Sequence, residues 1–394
     1  MAELKPDKEK IINLLSRGVE EVIDFDHLKR KLESGNRLRI KMGIDPTSPD
    51  FHVGHLIPLL KLRDFQKLGH KIVLIIGDFT GLIGDSSDKE SERPMLTEQE
   101  VDKNAQTYTQ QAGKIIDINQ TEILRNSEWL KELDYVEISR QADAFSLNEF
   151  ISRENIDRRM KAGRRVSLRE LVYPLMQGYD SVHVKADVEI GGTDQRFNLL
   201  AGRDIQRLYQ QEPQDILTGP LLEGLDGRKM SASYNNTINL MDEPKDMFGK
   251  IMSLQDNLII KYFTFLTRIP MNEIKDYQIE LEKGANPRDL KLKLAFEVVN
   301  LCYSDSEAKL AQDYFVKTFS QKEIPLDVPT FKPKDYKLVA VLLESKMVSS
   351  KSDARRVIEQ RGVKIDGKIV EDFEYIIAPG SILKKGKIKF LKIK

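Results

Sequence analysis

One cysteine, Cys302, stands in 394 residues. A lone thiol excludes a disulfide framework and any zinc site built on several thiolates. It lies in the apolar run 298–303 and reads as a small core residue. That usage points to a reducing, cytosolic compartment. Apolar stretches approaching the ~18 residues of a membrane span are lacking. Residues 1–10 are charged and hold no apolar signal core. Internal repeats and low-complexity tracts are lacking as well. Net charge is also absent, since 62 Lys and Arg balance 62 Asp and Glu. A wholly basic nucleic-acid coat is therefore excluded. The balance is uneven along the chain: residues 331–394 hold 16 Lys/Arg against 8 Asp/Glu, net +8, which leaves residues 1–330 at net −8. A basic end on an acidic body predicts a polyanion contact at that end.

What is present suffices for two or three domains at roughly 100–200 residues each. Residues 9–34 read as charged helix. Leu38, Ile40, Met42 and Ile44 alternate with Arg37, Arg39, Lys41 and Gly43, a strand pattern. A turn at 45–50 leads into a helix over 53–68, stopped by Gly69. The continuous apolar run 72–76 reads as a strand buried on both faces. Strand, helix, strand in this order predicts a parallel crossover. The middle, 97–180, reads as mostly helical. Ser167 and Glu170 form a capping box, and Pro174 is expected to kink the helix that follows. Strands are expected at 182–190 and 216–222, a helix at 194–210, and helices throughout 243–318. Pro325, Pro329 and Pro333 read as a stiff linker. The last 60 or so residues read as helices followed by short strands, with Asp366-Gly367 as a hairpin turn.

Five segments carry chemistry. His52-Val53-Gly54-His55 opens a helix, where unpaired N–H groups and a partial positive charge suit phosphate. A metal pair would need a third ligand, and no Cys/His cluster accompanies it. Glycine-rich 77–85 leaves the carboxyl end of a buried strand, the ligand side of open α/β sheets. Lys89 and Arg93 follow it and could neutralise a polyphosphate; the bland alternative is a solvated glycine-rich connection. Tyr173, Gln177 and Asp180 fall on one helix face, where a phenol, an amide and a carboxylate could hold an ammonium and a hydroxyl. They could equally be a polar stripe satisfied by nearby backbone. Glu189-Ile190-Gly191-Gly192-Thr193-Asp194-Gln195 ends a strand in two glycines, with Asp194 as a ribose ligand or an N-cap. Lys229-Met230-Ser231-Ala232-Ser233 is a Lys/Ser loop that could close over a leaving pyrophosphate.

Taken together and in this order, the five segments resemble class I aminoacyl-tRNA synthetases. His52-Val53-Gly54-His55 looks like the HIGH motif and residues 229–233 look like KMSKS. The chain is more closely similar to the bacterial-type tyrosyl-tRNA synthetases. Gly43-Ile44-Asp45-Pro46-Thr47, 77–85, YPLMQGYD at 173–180 and Gly191-Gly192-Thr193-Asp194-Gln195 carry that likeness. Residues 350–362 resemble the small RNA-binding module that ends many such enzymes and occurs in a ribosomal protein.

The resemblance implies an α/β fold. A Rossmann-like parallel-sheet catalytic domain would span 1–240, with a helical insertion at about 125–180. An α-helical anticodon-side domain at 241–325 and a small α+β RNA-binding domain of the alpha-L type at 331–394 would follow. It implies that tyrosine and ATP, the latter with Mg2+ as the substrate complex, give tyrosyl-adenylate, and that tRNA then accepts the tyrosyl group. No tightly bound cofactor or resident metal is implied. His52 and His55 would contact the phosphates, and Lys89, Arg93 and Lys229 would draw on the pyrophosphate. Gly43, Asp45, Thr47, Gly54, Gly192, Asp194, Met230 and Ser231 would line the ATP. Tyr173, Gln177 and Asp85 would hold the tyrosine ammonium, Asp180 its phenol, and Gln195 its carboxylate, with Thr80 beside them. Lys351, Arg355, Arg356 and Arg361 would meet tRNA phosphates, and a homodimer is implied.

Two positions depart from the pattern. Lys41 stands where many relatives have a tyrosine that shares the substrate hydroxyl, so that contact would rest on Asp180 alone or on a rearranged pair. Ala232 replaces the second lysine of the loop. Two other readings are a tryptophan-specific relative and a non-catalytic RNA-binding paralogue. The Tyr173/Gln177/Asp180 face argues against the first, and the intact histidine pair against the second.

Overall fold

A computed structural model describes residues 4, 7–85, 95–320, 328–386 and 389–394. The chain divides into two compact units, residues 1–309 and 310–394.

The first unit is built on six strands: β1 (Glu21–Ile23), β2 (Arg39–Ile44), β3 (Lys71–Ile76), β4 (Thr121–Arg125), β5 (Val188–Gly192) and β6 (Asp215–Gly219). Their order in the sheet is β1-β6-β5-β2-β3-β4. All neighbours are parallel except β1 against β6. The anticipated crossover is present: β2 passes through a 3-10 turn Val53–His55 and helix Leu56–Lys67 into β3. Ile72, Val73, Leu74 and Ile75 are fully buried, as a strand covered on both faces requires. From β2 the chain steps outward through β3 to β4, then returns to β5 on the other side of β2. The order therefore reverses between β2 and β5, and a crevice opens at the carboxyl ends there.

Three expectations are corrected. Residues 9–34 are two helices, Lys8–Ser16 and Phe25–Glu33, with β1 between them. The mostly helical middle contains β4, an edge strand that pairs with β3 from Ile72↔Thr121 to Ile76↔Arg125. The strand expected at 182–190 begins only at Val188, because helix Leu168–Val184 runs through its first part. The misleading signal has a physical source. Val182, Val184, Ala186, Val188 and Ile190 are all buried. A helix end, a turn and a strand thus mimic one alternating strand.

Helix Leu168–Val184 opens on the Ser167/Glu170 capping box and contains Pro174. It lies close against helix Arg196–Leu208. A Cβ at Gly178 would come 2.9 Å from Ile205 Cγ1, which explains the glycine. Glu170 also receives Arg159 in a fully buried two-pronged pair, with Nη2 to Oε1 at 3.0 Å. This pair anchors helix Glu154–Lys161 to the start of helix Leu168–Val184. Helices from Pro244–Met252 to Asp305–Phe315 complete the helical stretch. Cys302 is buried there, and burial pushes its thiol up to about 12, consistent with a core role.

The second unit holds β7 (Thr330–Phe331), β8 (Val363–Ile365), β9 (Lys368–Ile369), β10 (Ile382–Lys385) and β11 (Lys389–Ile393), in the order β7-β11-β10-β8-β9. Helices Leu338–Glu344 and Lys351–Glu359 pack Leu338, Val341, Leu342, Ala354 and Ile358 against this sheet. Asp366 and Gly367 both have positive φ, 48° and 84°, the turn that joins β8 to β9 as the sequence indicates. The proline-punctuated segment is partly a strand, since β7 pairs with β11; Pro325 lies outside the described residues. Among the described residues no helix is long and apolar enough to cross a membrane.

Candidate active site

A cavity of about 370 Å³ opens at the carboxyl ends of β2, β3 and β5, a size suited to a small ligand. Every sequence-derived candidate of the first unit that lies in the described residues lines it. These are Gly43, Asp45, Thr47, His52, Gly54, His55, Thr80, Asp85, Tyr173, Gln177, Asp180, Gly192, Asp194, Gln195, Lys229, Met230 and Ser231. Lys89 and Arg93 lie outside the described residues.

One wall is a continuous hydrogen-bond run. Tyr173 Oη donates to Asp45 Oδ2 at 2.8 Å, and Thr80 Oγ1 donates to Asp45 Oδ1 at 2.7 Å. Asn126 Nδ2 donates to Thr80 Oγ1 at 2.9 Å and to Asp180 Oδ2 at 3.2 Å. Trp129 Nε1 donates to Asp180 Oδ1 at 2.8 Å. Gly77 makes the run possible, because a Cβ there would collide with the Asp45 carboxylate and the Thr80 hydroxyl. Burial, with Asp45 beside it, raises Tyr173 well above the ordinary phenol range, so it stays a donor. Burial pushes Asp180 up to about 7, against the opposing pull of Lys41 and the bonds from Trp129 and Asn126.

The histidine pair sits at the start of the crossover from β2 to β3. His52 caps the 3-10 turn, its Nδ1 accepting from Gly54 N at 3.2 Å. His55 Nδ1 accepts from His52 N at 3.1 Å. Ring nitrogens that accept at Nδ1 must carry the proton on Nε2. Burial holds His52 at about 2 and His55 at about 4. Both rings are therefore neutral, with centroids 4.1 Å apart, and His52 presents Nε2–H, whereas His55 Nδ1 also lies 3.3 Å from His52 O. Gly54 has its own reason: a Cβ there would press on the His52 ring at 2.8 Å.

Lys229 Nζ lies 2.9 Å from Asp194 Oδ2, and Gln195 Nε2 donates to Asp85 Oδ2 at 2.6 Å. Met230 is buried, whereas Ala232 begins a short 3-10 turn. The departure at Lys41 resolves unexpectedly. Its side chain is fully buried and pairs at 2.8 Å with Oε1 of Glu189, which lines the cavity. The sequence reading missed Asn126, Trp129 and the Lys41–Glu189 pair. Trp129, the one tryptophan, was the available signal; Asn126 gave none, and Glu189 stood in a singled-out segment without a role of its own.

In the second unit Lys351, Arg355 and Arg356 are exposed on helix Lys351–Glu359, and Arg361 follows in the left-handed region at φ 56°. Arg356 pairs with Asp353 and Arg361 with Glu371.

Residues 33–320 match the family of class I tRNA synthetases (W and Y), and residues 337–383 match the S4 domain. Tyrosine–tRNA ligase of Thermotoga maritima is 45% identical, over 98% of this chain and 97% of that protein. Tyrosine–tRNA ligase 2 of Clostridium acetobutylicum is 44% identical, over 97% and 98%. In fold, the chain is similar to the tyrosyl-tRNA synthetase of Archaeoglobus fulgidus complexed with L-tyrosine, with a TM-score of 0.63 and 23% identity over 78% of this chain and all of that one. The crevice between β2 and β5, the matched segments and the full-length relatives agree, and the chain belongs to the class I aminoacyl-tRNA synthetases, in the family of the tyrosine–tRNA ligases.

Proposed function

We propose that the cavity is where this tyrosine–tRNA ligase performs both of its steps. The observation that carries the reading is the convergence of five separate sequence segments on one cavity. In the first step the tyrosine carboxylate attacks the α-phosphorus of ATP. The bond to the β-phosphate breaks, and pyrophosphate leaves with its charge. In the second, a hydroxyl of the terminal tRNA adenosine attacks the tyrosyl carbonyl and AMP leaves.

The residues divide this work by chemistry. Asp180 accepts the phenolic hydrogen. Tyr173, Gln177 and Asp85 surround the ammonium, with Thr80 bracing Asp45, and Gln195 stands by the substrate carboxylate. Gly43, Asp45, Thr47, Gly54, Gly192 and Asp194 border the nucleotide, Asp194 taking the ribose. His52, a neutral donor through Nε2–H, and neutral His55 bind the phosphates more tightly as the α-phosphorus becomes five-coordinate. Lys229 draws on the departing pyrophosphate, flanked by Met230 and Ser231, and Lys89 and Arg93 join it. ATP arrives with Mg2+ on its phosphates.

The remaining chain serves tRNA. Residues 241–325, of which 321–325 lie outside the described residues, are the anticodon-side domain of this reading. Residues 331–394 bind RNA phosphates through Lys351, Arg355, Arg356 and Arg361. Exposed Tyr135, Val136, Leu147, Met160 and Leu168, with Tyr135 at 89% and Leu168 at 79%, give the insertion an apolar surface suited to a homodimer. Sedimentation of the full chain reads that state. The enzyme works in the cytoplasm.

Exchange of labelled pyrophosphate into ATP, with magnesium and each of tyrosine, phenylalanine and tryptophan, tests the reading. Exchange with tyrosine alone is expected. Exchange driven by tryptophan would transfer the assignment to the sister specificity, and none with any of them would favour a binding-only paralogue.

A further inference from the structure

Lys41 and Glu189 stand opposite each other in register on β2 and β5. Their side chains are 0% and 1% exposed. Lys41 Nζ uses its three donors on Glu189 Oε1 at 2.8 Å, Gln177 O at 2.9 Å and Ser181 Oγ at 2.8 Å. Glu189 is equally engaged. Its Oε2 accepts from Ser181 Oγ at 3.2 Å and from Gln214 Nε2. Its Oε1 accepts from Gln177 Nε2 at 3.1 Å. Gln177 and Glu189 also line the cavity, so Lys41 is one side chain away from the ligand space.

We infer that the Lys41–Glu189 pair fixes the polarity of the Gln177 amide, holding its NH2 group inward and offering its oxygen to the substrate ammonium. The inference rests on the reading that Gln177 helps hold that ammonium. An ionised carboxylate can only accept hydrogen bonds, so the amide can meet Glu189 only with its NH2 group. The oxygen is then the end left for the cavity, and an ammonium, which only donates, needs an oxygen. An opposite charge at hydrogen-bond distance favours the charged, acceptor-only carboxylate. Lys41 supplies that charge. A neutral carboxyl or amide at 189 could donate to Gln177, and the amide could turn its NH2 toward the ammonium. Lys41 and Glu189 are thus positioning residues acting through Gln177. At the position where many relatives share the substrate hydroxyl, this chain instead serves the opposite end of the amino acid.

Two ligands separate this role from plain structural support. Tyrosinol carries the ammonium; 3-(4-hydroxyphenyl)propan-1-ol is the same molecule without it. Binding of both is measured by calorimetry on the full-length protein, and thermal melts verify folding. The wild type is expected to prefer tyrosinol, and Gln177→Leu to lose part of that preference. Failure of either overturns the Gln177 reading, and the inference falls with it. With both met, Lys41→Met/Glu189→Gln, which removes the two charges together, is expected to bind tyrosinol at least about tenfold more weakly while the deamino compound changes less than twofold. Equal losses for both compounds would reduce the pair to structural support, and an unchanged preference would deny it any role; either overturns the inference. Lys41→Leu/Glu189→Met, an apolar pair, carries the same expectation should the first variant not fold.

Discussion

Trp129 gives its indole N–H to Asp180 Oδ1 over 2.8 Å, while its ring stacks on His183 with centroids 4.2 Å apart. Asn126 holds the other carboxylate oxygen at 3.2 Å. The acceptor assigned to the tyrosine phenol is thus fixed in orientation before any ligand arrives. Both bonds favour the ionised form, yet burial dominates and places the carboxyl at about 7.

The first expectation concerns pH. The folded value lies above the ordinary carboxylate value, so the ligand-free fold binds this proton more tightly than the unfolded chain. This group therefore lowers stability as pH rises from about 4 to about 7 and adds no slope outside that window. Ligand recognition has the opposite sign. A phenol donates to the ionised carboxylate, so the preference for tyrosine over phenylalanine is full above about 7 and falls as pH drops below it. Lys41 and Glu189 are the charged neighbours, and they act in opposite directions. Pyrophosphate exchange with both amino acids between pH 6 and 8 reads the effect. Asp180→Asn is expected to abolish the pH dependence and cut the preference by about ten- to a hundredfold, the span of one hydrogen bond to a charged group at ~1.5–3 kcal/mol. A preference constant across that range in the wild type would remove Asp180 from the phenol.

Trp129→Phe keeps an aromatic ring beside His183 and deletes only the indole donor. Losing a bond that favours the carboxylate moves Asp180 further upward. The midpoint of the pH-dependent preference is expected to shift to higher pH, with the plateau preference retained at alkaline pH. A lower plateau with an unmoved midpoint would assign Trp129 to packing alone.

The legible part of the molecule follows one rule. Local signals were readable where one segment's chemistry decides its structure: the capping box of Ser167 and Glu170, the buried run of β3, the glycines before Asp194. The candidate cavity was readable because its motif residues sit at strand ends. β1 and β4 escaped because they are edge strands of three and five residues, whose pairing is decided by partners distant in sequence. Lys41 escaped for a similar reason. In sequence it lies 148 positions from the carboxylate that explains it, and only the register of β2 on β5 brings the two together. Asn126 and Trp129 carry no motif; their meaning arises from helix Leu168–Val184 setting Asp180 against them.

Lys229 is held by Asp194 at 2.9 Å, with its side chain 33% exposed. On the proposed roles, Asp194 takes the ribose and Lys229 exchanges this partner for the leaving pyrophosphate. Such an interaction grows in the transition state, so its removal acts on rate more than on ground-state binding. Lys229→Ala is expected to slow adenylate formation by about a hundredfold or more, with tyrosine binding changed less than about threefold. Pre-steady-state kinetics separates the two. Equal effects on both would make the lysine a simple binding residue. Ala232 supplies no second ammonium in this loop, which concentrates the loop's share of the effect on Lys229.

The basic end of the chain gives the last expectation. Exposed ion pairs such as Arg356 with Asp353 contribute little to the fold. Their arginines can exchange a carboxylate for a phosphate at small cost. Each phosphate neutralised releases counterions, and four such contacts predict a slope of about −3 to −4 for log affinity against log salt. Apart from Thr330 of β7, the five-stranded sheet and its buried core lie within residues 331–394, so removing those residues takes no strand from the six-stranded sheet. Truncation after residue 330 is expected to leave tyrosine-dependent pyrophosphate exchange within about twofold of the full chain, while aminoacylation falls sharply and its salt sensitivity flattens. A truncated enzyme that charges tRNA as the full chain does, with the same salt slope, would mean that Lys351, Arg355, Arg356 and Arg361 face solvent rather than RNA during catalysis.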